Sequence, residues 1–277
     1  MFALALVYLL FVSDAARAEM VTHVTEHFAL QYDPSLVSEE EVRMAADRGE
    51  TFRSAIGDRL GHAPEQRIVV VLHGPARQPD GSWGRPRVDG LARIHLYRYA
   101  PEPESFFNAF AHELVHVFRF HRKPHHDWFT EEGFAEFVAR RVHPVMDGFP
   151  WYGETMDLVA GQFVARGENL PLSALRERHE ELNMPCRLQS YALRASFFDW
   201  LGRAFGDEKV FAFAAREKAG ALEDYERFFD STFEELETKW YRELLARYEA
   251  IENHAARAEA YRTESPAQYV LVCEADR

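Results

Sequence analysis

His112, Glu113 and His116 stand in the order H-E-x-x-H within "AFAHELVHVF", residues 109–118. On an α-helix, positions i and i+4 stack on one face, so both imidazoles can aim at one point. Two neutral imidazoles at one point are what a tetrahedral zinc ion takes as its first ligands, and a catalytic site adds a third protein ligand while keeping one position for water. Glu113 is turned about 100° round the helix from His112 and can reach such a water without displacing it, as a general base. The bland reading is a buried helix with two satisfied histidines. Phe106, Phe107, Phe110, Leu114, Val115, Val117 and Phe118 make this helix apolar nearly all round, which puts it inside the protein. Histidines and a glutamate buried there are costly without a partner, and a metal ion supplies one.

The third ligand has to come from downstream. The pattern H-E-x-x-H-x-x-G-x-x-H is rejected, because Arg119 stands where its glycine would be and Arg122 where its third histidine would be. Further along the chain lies "DWFTEEGFAEFVA", residues 127–139. Glu132, Gly133, Phe134 and Ala135 resemble the E-G-F-A segment of the gluzincin metallopeptidases, and "WFTEEGFAE" is similar to that family's W-x-x-E-G-x-A pattern. The resemblance implies that Glu132 is the third zinc ligand. Fifteen residues separate His116 from Glu132, a shorter connection than in the aminopeptidase branch and closer to the compact peptidase MA-like gluzincins of exported bacterial proteins. Glu131 and Glu136 compete for the same assignment. Glu131 lies on a different helix face, while Glu136, at i+4 from Glu132, shares its face and is the expected outer acceptor for the far nitrogen of a ligand histidine. Small Gly133 and Ala135 are expected to let this second helix approach the H-E-x-x-H helix closely.

A further likeness lies in "SYALRASFFDWLGRAFGDEKVFAF", residues 190–213. It is similar to a gluzincin segment in which a tyrosine opens a helix and hydrogen-bonds the oxyanion of the tetrahedral intermediate. The matching residue is Tyr191, although the family's next glycine is Arg194 here; the alternative is an ordinary core aromatic. The resemblance covers most of the chain but is motif-rich only over residues 112–136, and no G-x-M-E-N-type loop for a free substrate amine precedes Ser105. It implies peptide hydrolysis with zinc held by His112, His116 and Glu132, Glu113 as base and Tyr191 as oxyanion donor. Two other readings stay open: a non-catalytic binding module of the same fold, and a zinc hydrolase of a non-peptide amide or ester.

These residues need a scaffold, and the pattern around them predicts α+β: a small N-terminal mixed sheet, a zincin-type pair of active-site helices and a C-terminal helical lobe. "VTHVTEHFALQY" (21–32) alternates and reads as one strand. Pro34 and Ser38 open an amphipathic stretch to about Leu60, carrying Val42, Ala45, Ala46, Phe52 and Ile56 at helical spacing. "RIVVVLHG" (67–74) reads as a central strand. "ARQPDGSWGRPRVDG" reads as a loop, and "LARIHLYRY" after it as an edge strand along which an extended peptide can pair. From Ser105 onward the periodicity is helical, with helices expected near 105–121, 130–142, 153–167, 188–204, 207–219 and 232–252. The other histidines singled out, His73, His95, His121, His125 and His126, are expected on the surface or in loops.

The chain has 277 residues, 47% of them hydrophobic, enough for a substantial core. Its 45 acidic against 32 basic residues, a net charge of −13, disfavour a nucleic-acid or anionic-lipid partner. Residues 1–18 read as a signal peptide: an apolar run from Phe2 to Val12 ends before Ala16-Arg17-Ala18, with cleavage after Ala18. That run is too short to span a bilayer, and no later one reaches about 18–20 residues, so the expectation is a periplasmic or secreted protein without stable membrane insertion. The expected division is 19–104 as an N-terminal α/β lobe, 105–252 as active-site helices and helical lobe, and 253–277 as a tail. Cys186 and Cys273 either pair, tying the tail to the body, or remain free thiols.

Overall fold

The computed structural model describes residues 20–75, 87–90, 92–98, 103–120, 127–144, 155–168, 170–177, 187–215, 222–257 and 259. The expected signal peptide, both cysteines, His121, His125, His126 and most of the tail lie outside these residues.

The architecture is α+β, a small five-stranded mixed sheet at the N-terminal end followed by helices. The alternating segment 21–32 is not one strand. β1 (Val21–Val24) and β2 (Phe28–Tyr32) form an antiparallel hairpin, Val24 pairing with Ala29. The turn is closed by a carboxylate from a later helix: Glu50 accepts hydrogen bonds from the Thr25 hydroxyl at 2.6 Å and the His27 amide at 3.0 Å. Alternation runs on across the turn, which is why the pattern hides it. In β2, Phe28, Leu30 and Tyr32 are buried and Ala29 and Gln31 half-buried, the period of a strand with one face on the core.

α1 (Glu39–Leu60) starts at Ser38, whose hydroxyl accepts from the Glu41 amide while the Glu41 carboxylate accepts from the Ser38 amide, a reciprocal capping box. It ends at Gly61, whose φ of 70° suits a residue without a Cβ. β3 (Ile68–Pro75) runs parallel to β2 on one side and to β5 (Arg93–Arg98) on the other, and short β4 (Arg87–Asp89) pairs antiparallel with β5, giving the order β1-β2-β3-β5-β4. β5 is therefore an inner strand: the edge on that side is β4, formed from the end of the segment read as loop. Three residues between glycine- and proline-rich neighbours are too few to show a strand period.

Among the described residues the remaining helices are α2 (Pro103–Phe120), α3 (Trp128–Val142), α4 (Met156–Ala165), α5 (Leu172–Glu177), α6 (Arg187–Phe205), α7 (Asp207–Ala214), α8 (Leu222–Phe229) and α9 (Phe233–Ala250). α5 and α8 were not expected, being too short to develop a clear helical period, and α7 is shorter than the 207–219 expected. No helix among the described residues is long and apolar enough to cross a membrane.

One face of the sheet supplies Phe28, Leu30, Ile68, Val70, Leu72, Ile94 and Leu96 to the core, all nearly inaccessible to solvent. Phe110 of α2 ties three layers together, meeting Phe28 of β2 and Phe52 of α1 edge-on at 5.8 and 6.1 Å. Buried apolar residues from the sheet through α9 form one contiguous cluster.

α3 sits between α2 and α6. The expectation that Gly133 lets α3 approach the H-E-x-x-H helix is corrected, because Gly133 faces α6: a Cβ there would lie 2.4 Å from Cδ2 of Phe198. The far end of α3 is clamped by Arg141, which donates to Asp199 of α6 at 2.6 Å and to Asp207 of α7 at 3.0 Å.

The packing and the clamp of α3 can each be tested. Gly133→Ala overpacks against Phe198 and should destabilise the fold by about 1–3 kcal/mol in chemical denaturation, whereas Gly90→Ala, whose added Cβ meets only open space, loses less despite its positive φ. Burial works to raise the Asp199 carboxyl, but Arg141 and then Arg203 outweigh it and hold its pKa below the ordinary aspartate value. The pair's stabilisation is thus present above the unfolded aspartate pKa of about 4 and lost as pH falls through the lower folded value. Asp199→Asn should cost about 2 kcal/mol at pH 7, and its urea midpoint should converge on that of the wild type in strong acid.

Candidate metal centre

α2 and α3 are buried on every described face near their contact. From Ala109 to Phe118, α2 has no residue more than 8% exposed, and the polar ones among them are His112 (2%), Glu113 (8%) and His116 (4%). Opposite them on α3 stand Glu131 (3%), Glu132 (7%) and Glu136 (0%). α3 starts at Asp127, whose carboxylate accepts from the amides of Phe129 and Thr130 and from the Thr130 hydroxyl at 2.6 Å. That hydroxyl also meets Tyr225 of α8 at 2.8 Å, and Arg176 of α5 approaches Asp127 at 3.4 Å. The cap satisfies two of the helix's free amides and anchors the first turn against two other helices, so the next turn is delivered in a set orientation.

That turn brings Glu132 between the histidines. Nε2 of His112 and Nε2 of His116 are 3.1 Å apart, and Oε2 of Glu132 lies 3.2 Å from the first and 3.7 Å from the second. Two bonds of 2.0–2.1 Å at a tetrahedral angle separate their donor atoms by about 3.3 Å, and the three observed spacings bracket that value. These three buried groups can hold a metal ion.

The remaining carboxylates have distinct surroundings. Oε1 of Glu136 lies 2.9 Å from Nδ1 of His112, on the side of the ring away from Glu132, where it can fix the ring's orientation and tautomer. Glu131 is turned aside and pairs with Arg119 of α2, whose guanidinium also donates to the Ala214 carbonyl. Arg119, the residue that rules out the third-histidine pattern, is thus the partner that draws Glu131 away from the centre. Burial raises the Glu113 pKa above the ordinary glutamate value, against the opposing pull of His112 and His116.

The electrostatics fit a cation. Burial opposes a charged His112, yet the Glu136 and Glu132 carboxylates outweigh it and lift the imidazole well above the usual histidine value. Burial also opposes a charged Glu132, and His116 and His112 more than offset it, holding the carboxyl well below its usual range. Three carboxylates buried among phenylalanines are costly without positive charge, and a divalent ion at the His112–His116–Glu132 focus supplies it.

Tyr191 of α6 is half-buried, its ring centroid 6.2 Å from that of His112. Two further residues escaped the motif-based reading. Arg194, fully buried one turn along α6, lies 5.8 Å over the Tyr191 ring. Burial lowers its pKa, and Glu132 is the main charge acting the other way. The signal available was a charged residue inside an apolar helix. Asn108, fully buried one turn before His112, has no hydrogen-bond partner for either amide atom among the described residues; its i−4 spacing from His112 was the clue. Of the histidines expected on the surface or in loops, His73 and His95 lie on β3 and β5, half-buried and stacked on each other. Burial, His95 and Arg87 push the His73 pKa down to about 4.

Neither a scan against protein-family models nor a search of curated proteins returns a match for this chain, and the assignment of the centre rests on its geometry.

The three glutamates are separable by experiment. Glu132→Ala should abolish tight metal binding. Glu136→Gln should weaken it about 10- to 100-fold, and Glu131→Gln should leave metal affinity near the wild-type value, as read by competition with a chromophoric chelator.

Proposed function

We propose that this chain is an exported zinc metallopeptidase of gluzincin type, in which His112, His116 and Glu132 hold the ion. The observation that carries this reading is the convergence of three buried donor atoms from two helices, with a fourth side chain, the acidic Glu113, on the same turn. The donor set of two imidazoles and one carboxylate is one that zinc accepts readily while leaving a position open. The chemistry supplied by zinc when bound is Lewis acidity toward a carbonyl oxygen and acidification of water to near-neutral pKa.

The protein's own groups do the rest. Glu136 orients His112 through Nδ1, so that Nε2 faces the ion. The Glu113 carboxylate accepts the proton of the attacking water and returns it to the leaving amine as the peptide C–N bond breaks. The Tyr191 hydroxyl donates to the oxygen that becomes negative, an aid whose value grows where water is excluded. An extended peptide would pair along the outer edge of β4, which contacts α2. Export rests on residues 1–18 and is part of the proposal.

One observation favours a second reading, a metal-held binding module without turnover: the donor residues are only 2–7% exposed, as in a closed structural site. Half-buried Tyr191 supports the open site instead.

The two readings part on one set of measurements. Purified wild type should contain about one zinc per chain and hydrolyse unfolded protein or quenched peptides. Glu113→Gln should retain the metal and lose at least about 100-fold in kcat, and Tyr191→Phe should lose about 100-fold in kcat with little change in KM. Full activity of Glu113→Gln sinks the mechanism. Absence of hydrolysis of peptide, amide and ester substrates, with a metal that raises Tm, favours the binding module.

A further inference from the structure

On the sheet face turned away from the core, β3 and β5 carry a second constellation that shares no residue with the buried centre. Val71 pairs with His95 across the parallel strands, so His73, two residues beyond Val71, lies diagonal to His95 on the same face. The diagonal is closed: Nε2 of His73 is 2.9 Å from Nδ1 of His95. The other nitrogen of His95, Nε2, lies 2.9 Å from Oδ2 of Asp89 on β4. The His73 ring is stacked on Tyr97 with centroids 4.2 Å apart and planes 8° from parallel, which holds it in place. Arg87 secures Asp89 in turn, its Nε 3.1 Å from Oδ1.

We propose that His73 and His95 form a second metal site, a two-imidazole clip for a divalent ion of tetragonal preference such as copper(II), with Asp89 as the residue that orients His95. With its proton on Nε2, the nitrogen beside the Asp89 carboxylate, His95 turns the Nδ1 lone pair toward His73. A carboxylate on the far nitrogen of an imidazole is the usual support of a ligand histidine, and it is the relation Glu136 bears to His112. The spacing admits such an ion. Two bonds of ~2.0 Å meeting at a right angle place cis donors about 2.8 Å apart, close to the 2.9 Å seen, and square-planar coordination by nitrogen is the preference of copper(II) and nickel(II). Arg87 on β4 and Arg93 on β5 flank the pair, and Asp89 offsets one of these two charges. The site therefore recognises an ion through imidazole nitrogen rather than through net charge, which excludes calcium and magnesium.

The test uses the dialysed full chain carrying His112→Asn and His116→Asn, so that the buried centre is removed. Titration with copper(II) should give the electron paramagnetic resonance spectrum of a tetragonal ion with hyperfine coupling to two imidazole nitrogens. Adding His73→Phe, which keeps the stack on Tyr97, should abolish that signal, and Asp89→Asn should weaken copper binding about 10-fold or more. Excess magnesium should not compete. If circular dichroism shows the double variant unfolded, the same titration is run on wild type preloaded with zinc, with the same signal expected. A two-imidazole signal that survives His73→Phe, or copper bound without imidazole coupling, overturns the proposal. It stands or falls separately from the peptidase reading, because neither His73 nor His95 belongs to that centre.

Discussion

The contact of His112 with Glu132, made across two helices inside walls of phenylalanine, is the constraint on which the rest of this structure depends. Ionisable groups so deeply buried lower the stability of the fold unless their partners stand at hydrogen-bonding distance. The register of α3 against α2 therefore has little tolerance. A slip of one residue on α3 would turn the helix by about 100° and replace Glu132 with Glu131 or Gly133. Each end of α3 is pinned accordingly. Asp127 caps the first turn and bonds onward through Thr130 to Tyr225, and Arg141 in the last turn grips Asp199 and Asp207. Between them, the Arg119–Glu131 pair forms a second cross-helix link one residue from the metal-facing carboxylate. These are charged contacts, and contacts of this kind specify register more sharply than apolar packing, which accepts many small shifts.

What could be seen in the sequence was what is local. The i, i+4 histidines, Ser38 as an opening of the α1 stretch and the apolar run of β3 need only a few neighbouring residues to be recognised. Choosing among Glu131, Glu132 and Glu136 was harder, because three carboxylates share six positions. The partner that separates them, Arg119, is 12 residues away and on another helix. The hairpin at Thr25–His27 was missed for a related reason: the group that closes it, Glu50, comes from α1, and the apolar alternation of the flanking strands continues through the turn. Gly133 was recognised as a close-packing residue but assigned the wrong neighbour, since sequence gives the size of a side chain without saying which helix lies across from it. His73 and His95 show the limit most clearly. Each alone is an ordinary strand histidine, and only the β3–β5 register makes them a pair.

Burial and access pull in opposite directions at the α2–α3 centre. The same apolar surroundings that would strengthen the attraction between an ion and these donors also cover them, since His112, His116 and Glu132 are only 2–7% exposed. The neighbouring helix is α6. Tyr191 is half-buried, whereas Gln189 and Ser190 before it and Ala192 and Leu193 after it are buried, so it is the more exposed position of this stretch of α6. A buried Arg194 one turn on places a fixed positive charge behind Glu132 and Tyr191. Such a charge favours Glu132 as a carboxylate.

The two imidazole pairs of this molecule are physically unlike. Around His112 and His116 the surroundings are helical, buried and rich in carboxylate, so a bound ion neutralises charge that is otherwise costly. An ion lost from there leaves three buried acids to be protonated or repelled, which couples metal retention to the stability of the helix pair. Around His73 and His95 the strands are already paired by backbone hydrogen bonds, and the adjacent charges, Arg87, Arg93 and Asp89, lie on a half-covered sheet face. An ion there adds little to a sheet that holds itself together, and it can come and go without disturbing the core. An ion held by the helical pair would therefore be retained tightly, metal and fold stabilising each other, and an ion held by the strand pair would exchange.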